Sequence, residues 1–184
     1  MFNIIMDTND KKVSDDSREA YAALYEQFMP KVYRYISFRI SDENMAQDLT
    51  SVVFEKALTK FDGFNPQKAS FSTWIFTIAR NTVIDHYRVN KKHEDVVPYV
   101  ETKTAGQYPS PEEEAIKAEN TKRLRIFLSR LKKREQEAII LKYSNGMSNR
   151  EIGEVLNLTE SNVGSILCRT IRKLRDNFVE WQNE

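Results

Sequence analysis

The strongest structural signal in the chain is the segment SNREIGEVLNLTESNVGSILCRTIRKLR, residues 148–175. Apolar residues recur at helical spacing on both sides of Asn157, and Asn tolerates the left-handed backbone conformation of a tight turn. Gly153, four residues earlier, leaves room for a second helix to cross closely, and Val163, six residues later, would fill the wedge between the two helices. The spacing predicts a helix-turn-helix.

The second helix of this motif has a polar face opposite its apolar face. Ser165, Arg169 and Arg172 lie on that face, with Asn162 and Lys173 beside them. Hydroxyl, amide and guanidinium groups are the ones that contact base edges and phosphates in a major groove. The pattern therefore favours DNA binding. At this stage an ordinary helical hairpin with a basic surface remains the alternative.

Helix boundaries can be predicted at several points along the chain. Ser41 and Ser70 each precede an apolar helical stripe and are predicted N-caps. Ser148 is followed three residues later by Glu151, which is the spacing of a capping box. Pro30 falls inside the first helical pattern, so a kink or break is expected near Met29.

The helix predicted to run from Ser70 to about Lys92 carries an unusual polar stripe. Five residues fall within about 80° of one another on a helical projection: Trp74, Thr77, Asn81, Asp85 and Arg88. Arg80 flanks this stripe, and Lys91 and Lys92 follow it. Asn is a poor helix former, and Asn and Arg are base-reading residue types. The stripe is a candidate nucleic-acid face, whereas Trp74 taken alone is also typical of a core residue.

Charge is distributed in blocks along the chain, although 28 basic and 27 acidic residues give a net charge of only +1. Residues 70–92 carry a net +3, residues 121–148 a net +6, and the intervening residues 93–120 a net −5. Residues 93–115 also contain three of the five prolines and little apolar periodicity, as expected of a flexible acidic linker. We therefore expect an all-α protein with one small helical domain at 16–92, the linker at 93–115 and a second small helical domain at 116–184.

Several classes of protein are disfavoured by composition. One cysteine and two histidines make a disulfide framework or a metal site improbable. No apolar run reaches membrane-spanning length, and the N-terminus lacks the features of a signal peptide, so a cytoplasmic protein without membrane insertion is expected. Asp85 and His86 point about 100° apart on a helix, and no Gly-rich phosphate loop is present. We expect no enzyme activity, no catalytic residues and no cofactor.

Three stretches together resemble the sigma-70 family of bacterial RNA polymerase initiation factors, in its extracytoplasmic-function (ECF) group. They are Asp48–Leu58, similar to the family's polymerase-binding helix; Phe71–Arg88, similar to its −10 reading helix; and Ser148–Arg175, similar to its −35 reading helix-turn-helix. The resemblance covers roughly residues 20–92 and 116–178. It identifies the two expected domains with sigma regions 2 and 4.

The resemblance implies a function and a set of contacts. The chain would bind core RNA polymerase, direct it to promoters through the −35 and −10 elements, and assist promoter melting. The residues expected to bind core polymerase are Asp48, Leu49, Val52, Phe54, Glu55 and Leu58. Those expected at the −10 element are Phe64, Asn65, Lys68, Trp74, Arg80, Asn81, Asp85, Arg88, Lys91 and Lys92. Those expected at the −35 element are Asn162, Ser165, Arg169, Arg172 and Lys173.

The same resemblance implies further features of these sites. The loop Phe61–Phe71 would form a pocket for a base flipped out of the nontemplate strand, with Phe64 or Trp74 as the stacking platform. The partners would be core polymerase, promoter DNA and an anti-sigma factor. The competing hypothesis is an activator or repressor in which the helix-turn-helix is joined to an unrelated helical sensor domain.

Overall fold

The computed structural model describes residues 15–40, 42–89, 123–124 and 126–182, without the side chains of 15–18 and 178–182. All regular secondary structure in these residues is helical, in agreement with the predicted all-α class. The predicted linker at 93–115, together with Ser41, Lys91 and Lys92, lies outside the described residues.

The first helix, α1 (Asp15–Ser37), passes through Pro30 as one continuous helix. Of the kink or break expected near Met29, the break is absent, so that part of the prediction was wrong. Phe28 and Val32, on either side of the proline, are both buried in the core, while Pro30 itself is exposed. Packing of the flanking turns compensates for the backbone hydrogen bond that the proline cannot donate.

The next two helices are α2 (Glu43–Lys60) and α3 (Phe71–Val89), joined by a short 3-10 turn (Phe61–Gly63) and a loop. The N-cap of α2 is Asp42, whose carboxylate accepts a hydrogen bond from the Met45 amide at 2.8 Å. The cap is therefore one residue later than the predicted Ser41. Ser70 does cap α3, because its hydroxyl accepts a hydrogen bond from the Thr73 amide at 3.1 Å.

In the C-terminal half, residues 123–124 and 126–129 are helical. They are followed by α4 (Lys133–Ile139), a π-helical segment (Ile140–Ser144), α5 (Asn149–Leu156) and α6 (Glu160–Gln182). Helices α5 and α6 form the predicted helix-turn-helix. The capping box of Ser148 and Glu151 begins α5, and Asn157 ends it in the left-handed conformation with φ 54° and ψ 52°. Val163 is fully buried between the two helices.

Gly153 has a different role from the one its spacing suggested. A Cβ at this position would lie 2.6 Å from the carbonyl oxygen of Leu158. The close approach is therefore between α5 and the backbone of the turn that follows it, and the glycine allows the chain to fold back tightly after Asn157.

The two halves pack against each other around one continuous apolar core. Helix α3 lies against α5, and the π-helical segment lies against α1. Buried residues of the core come from the N-terminal half, such as Ile75 and Phe76, and from the C-terminal half, such as Met147 and Ile152. This packing between the two small domains was not foreseen from the sequence.

The left-handed turn gives a direct test of the helix-turn-helix. Replacing Asn157 with Val should lower the free energy of unfolding by about 1–2 kcal/mol, because a β-branched residue is strained in this conformation. Asn157→Gly is the matched control and should change the stability by less than about 0.5 kcal/mol, since glycine adopts this conformation freely. Urea denaturation followed by circular dichroism measures both variants. Equal stability of the two would contradict the assigned turn.

Candidate nucleic-acid interface

Helix α6 has an exposed polar face and a buried apolar face. The five side chains predicted from the spacing are all exposed: Asn162, Ser165, Arg169, Arg172 and Lys173. Val163, Leu167 and Thr170 are buried and fix the orientation of the helix. Amide, hydroxyl and guanidinium groups thus share one accessible side of a helix-turn-helix, which is the arrangement that reads a major groove.

Within the described residues, Arg169 and Lys173 have hydrogen-bond partners. The Nε of Arg169 donates to the carbonyl oxygen of Ser165 at 3.3 Å. The Nζ of Lys173 donates to Oε1 of Glu135 on α4 at 2.8 Å. This hydrogen bond is the main reason that the pKa of Glu135 lies below its ordinary value. Lys173 is tied to α4, yet its side chain remains 52% exposed.

The polar stripe of α3 divides into an accessible part and a packed part. Asn81, Asp85 and Arg88 are exposed, and Nη2 of Arg88 lies 3.5 Å from Oδ1 of Asp85. Thr77 is partly buried and donates its hydroxyl proton to the Thr73 carbonyl at 2.7 Å. Trp74 is also partly buried and packs on the apolar core.

Trp74 belongs to a cluster of aromatic rings that joins the start of α3 to the preceding loop. Its ring centroid lies 5.0 Å from that of Phe64 and 5.4 Å from that of Phe71. Phe64 in turn stacks on Phe61 with centroids 6.2 Å apart and planes 17° apart. Both Phe64 and Trp74 remain partly exposed, so the cluster has aromatic surface available for stacking.

The loop that carries Phe64 is fixed by Asn65. The side-chain oxygen of Asn65 accepts a hydrogen bond from the Gln67 amide at 2.9 Å, and its backbone oxygen accepts one from the Lys68 amide at 3.0 Å. Asn65 and Lys68 are both exposed. The predicted −10 residues of this loop therefore lie together beside the aromatic cluster.

The residues predicted on α2 do not all lie at the surface. Asp48, Glu55 and Leu58 are exposed, and Val52 is partly buried. Leu49 and Phe54, by contrast, are 8% and 4% exposed and belong to the core. The accessible surface of α2 is extended by Tyr25 of α1, whose ring packs on that of Phe54 at 4.7 Å between centroids.

Arg80 differs from the other predicted −10 residues, because its side chain is only 20% exposed. Its Nε lies 3.4 Å from Oε1 of Glu137 on α4. The same carboxylate accepts hydrogen bonds from Nη1 of Arg39 and from the hydroxyl of Tyr35, the latter at 3.3 Å. We call these four residues the Glu137 cluster.

The Glu137 cluster was missed by sequence reasoning. Glu137 is separated by 98 and 102 residues from Arg39 and Tyr35, so no local pattern connects them. Burial raises the pKa of Tyr35, and the Glu137 charge adds to this effect. Burial alone would lower the pKa of Arg39, but Tyr35 and Glu137 outweigh it and raise that pKa. The only local signal was an acidic residue directly beside the apolar run Ala138–Leu141.

Two segments of the chain, which carry these surfaces, match models of a known protein family. Residues 24–93 match the family model described as Sigma-70 region 2, and residues 122–174 match the one described as Sigma-70, region 4. The RNA polymerase sigma factor SigZ of Bacillus subtilis is 32% identical over 152 residues, which cover 83% of each chain. The chain belongs to the sigma-70 family of RNA polymerase sigma factors.

Further comparisons agree with membership of this sigma factor family. The ECF RNA polymerase sigma factor BldN of Streptomyces coelicolor is 31% identical over 156 residues; these cover 85% of this chain but only 59% of the length of BldN. The sigma factor RpoE of Bartonella quintana, solved in complex with the anti-sigma factor NepR, has the same fold, with a TM-score of 0.64 at 20% identity. That match covers 86% of this chain and 96% of RpoE.

The region 2 and region 4 matches are consistent with the positions of the two surfaces. Region 2 contains α2, the aromatic cluster and α3, and region 4 contains α4, α5 and most of α6. Among the described residues, no group of three or more His, Cys, Asp or Glu side chains could hold a metal ion. No described helix is long and apolar enough to cross a membrane.

The capping box of the helix-turn-helix leads to a prediction about pH. The Glu151 carboxylate accepts hydrogen bonds from the Ser148 amide at 2.9 Å and from the Ser70 hydroxyl at 2.7 Å. Burial alone would raise the pKa of Glu151, but these hydrogen bonds outweigh it, and the pKa lies below its ordinary value of 4.5. The ionised carboxylate therefore stabilises the folded chain above pH 4.5, and this contribution is lost as the pH falls through the lowered value.

We expect Glu151→Gln to lower the free energy of unfolding by about 1 kcal/mol at pH 7. The difference between the two proteins should be smaller at about pH 3 than at pH 7, because Glu151 becomes protonated as the pH falls through its lowered pKa. Urea denaturation at both pH values measures this. Glu154→Gln on the same helix is the control, because exposed Glu154 only pairs with Arg150 at 3.5 Å. An equal deficit for Glu151→Gln at both pH values would contradict the assigned role.

Proposed function

We propose that this chain is an ECF-type transcription initiation factor that binds core RNA polymerase, reads the −35 and −10 promoter elements and assists promoter melting. The observation that carries the proposal is the presence, in one chain and in family order, of an accessible aromatic cluster beside a polar stripe and of a helix-turn-helix with a polar outer face. The functional units are 16–92 for polymerase and −10 binding, 93–115 as linker and 116–184 for −35 binding. The chain acts by binding alone and has no catalytic residues.

The −10 role assigns different tasks to the aromatic cluster and to α3. Phe64 and Trp74 offer partly exposed rings, and stacking of a base on an aromatic side chain contributes about 1–3 kcal/mol. This offsets the few kcal/mol required to unstack a base from the duplex. Asn65 and Lys68 contact the extruded strand, while Asn81, Asp85 and Arg88 contact the adjacent duplex together with Arg80, Lys91 and Lys92.

The −35 role rests on the outer face of α6. Asn162, Ser165 and Arg169 lie in the N-terminal half of this helix, and the N-terminal part of the recognition helix contacts base edges in helix-turn-helix proteins. Arg172 and Lys173 lie about one turn further on, where phosphate contacts are expected. The basic segment 121–148, with eight basic and two acidic residues, adds sequence-independent attraction to the DNA backbone.

The exposed side of α2 is the surface that binds core polymerase in this proposal. Asp48, Glu55 and Leu58 provide the charged and apolar contacts, with Val52 at their edge. Leu49 and Phe54, which are buried, hold this surface in place from below. An anti-sigma factor is proposed as a further partner, as in the RpoE–NepR complex, and the cytoplasm, where bacterial polymerase acts, as the location.

Transcription in vitro tests the proposal. The purified chain is added to core polymerase and genomic DNA, and the start sites are read out. We expect start sites that share −35 and −10 elements and that depend on the added chain. The absence of chain-dependent starts, with a core enzyme that is active with another sigma factor, would overturn the proposal. DNA binding that activates or represses only in the presence of another sigma factor would support the regulator hypothesis instead.

Arg169→Ala should weaken binding to a −35 duplex by about 1–3 kcal/mol if the guanidinium reads a base. Arg169→Lys is the matched control, because it retains the charge and loses the planar fork. Fluorescence anisotropy with the −35 duplex and with a scrambled duplex measures both. If Lys restores wild-type binding, or if Ala weakens binding to both duplexes equally, Arg169 contacts only phosphate.

Asn81→Ala should reduce promoter opening while binding to core polymerase stays unchanged, because Asn81 lies on the exposed stripe of α3 and not on α2. Permanganate reactivity of unpaired thymines measures opening, and native gel shift measures polymerase binding. Asn177→Ala, the same change near the end of α6, should leave both at the wild-type level. Loss of polymerase binding in Asn81→Ala would mean that α3 has been assigned the wrong partner.

A further inference from the structure

The contact between the two halves is organised around one acidic side chain. Glu137 is 4% exposed, and its Oε1 is approached by Tyr35, Arg39 and Arg80, all from region 2. A carboxylate is costly to bury without partners. The Glu137 carboxylate therefore has its partners only while region 4 lies against region 2.

The cations at this contact outnumber the Glu137 carboxylate. Three arginines of region 2, Arg34, Arg39 and Arg80, contact region 4. Arg39 and Arg80 pair with Glu137, and Nη1 of Arg34 donates to the Ser144 carbonyl of the π-helical segment at 3.4 Å. The Nε atoms of Arg34 and Arg80 are buried and make no hydrogen bond within the described part of the chain, although that of Arg80 lies 3.4 Å from Oε1 of Glu137. Region 2 thus keeps guanidinium groups at the contact that are only partly neutralised, and a phosphate group would supply the missing acceptors.

A second polar contact lies at the edge of the same interface. The Ser70 hydroxyl, which caps α3, donates to the Glu151 carboxylate of the α5 capping box at 2.7 Å. The N-terminal ends of the two helices are therefore held side by side. Across the same interface, Nζ of Lys133 lies 5.4 Å from the centre of the Tyr87 ring near the end of α3.

We propose that the Glu137 cluster closes the chain on itself and withholds Arg80 from promoter DNA, so that region 4 must leave region 2 before Arg80 binds the −10 duplex. The inference rests on the proposed function, since it takes Arg80 as a −10 contact. In the closed chain Asn81, Asp85 and Arg88 are exposed, while Arg80, next to Asn81, is paired with Glu137, which it shares with Arg39. Glu137 and DNA phosphate compete for the same guanidinium.

The closed state is tested in the free chain, without promoter or polymerase. Cys168 on α6 is exposed, and Lys60→Cys adds a second exposed site at the end of α2 for donor and acceptor dyes. We expect efficient energy transfer in this labelled chain and a clear loss of transfer when Glu137→Gln is added. Glu135→Gln is the matched control, because it removes the same charge from the same helix but contacts Lys173 and not region 2.

A second pair of variants keeps the test valid if Glu137→Gln fails to fold. Ser70→Asp retains a capping oxygen for α3 and places a carboxylate against that of Glu151, so it should also lower energy transfer. Ser70→Asn has nearly the same shape and no charge, and should leave transfer unchanged. Circular dichroism confirms folding of each variant.

DNA binding then tests the competition. Without the dyes, Glu137→Gln should bind a −10 fork-junction DNA at least about fivefold more tightly than the wild type, a coupling typical of two linked equilibria. Glu135→Gln should show no such gain. The proposal is overturned if folded Glu137→Gln keeps wild-type energy transfer, if Ser70→Asp does so where Glu137→Gln is unfolded, or if opening brings no gain in affinity. Failure of the proposed function would appear separately, as absence of polymerase-dependent start sites.

Discussion

The burial of the Glu137 carboxylate is the constraint on which the arrangement of the two halves depends. A buried charge must be paired and hydrogen-bonded, and every partner that the structure gives to Glu137 comes from the other half of the chain. Once Tyr35, Arg39 and Arg80 converge on it, α4 is fixed over α1 and α3. In the same arrangement α5 packs against α3 and the π-helical segment packs against α1.

Helix α3 is shared between the core and the candidate site. Ile75, Phe76 and Ala79 are fully buried, and the exposed stripe with Asn81 and Arg88 lies on a different side. Since side chains three and four residues apart lie on one face of a helix, a helix of five turns offers both surfaces. Packing of the buried face fixes the direction of the exposed one, so the core positions the site.

The sequence predicted those parts of the fold that depend on local interactions. The capping box of Ser148 and Glu151, the cap at Ser70 and the left-handed Asn157 all involve residues within a few positions of one another, and the structure confirms them. The exposed face of α6 was predicted correctly because helical periodicity alone decides which side chains lie opposite Val163. The family resemblance added the correct assignment to the sigma-70 family.

The remaining features depend on tertiary contacts that no local pattern encodes. Pro30 was expected to kink or break α1, but the helix runs on through it, and Phe28 and Val32 are buried on either side of it. Leu49 and Phe54 were expected at a binding surface, but α1 covers that side of α2 and buries them. Arg80 was predicted from its neighbours on α3, and only the folded chain places it beside a carboxylate 57 positions away in the sequence.

The charges around Glu137 also explain why such a contact is suited to opening. A fully matched buried ion pair loses its hydrogen bonds when it separates, and removing one partner of such a pair costs about 3–5 kcal/mol. Here two arginines, Arg39 and Arg80, share one carboxylate, and the Nε of Arg80 makes no hydrogen bond within the described residues. Transfer of Arg80 from Glu137 to a phosphate exchanges one anion for another and allows its Nε to form a hydrogen bond. The guanidinium remains paired throughout, so the contact holds region 4 in place without making its release prohibitive.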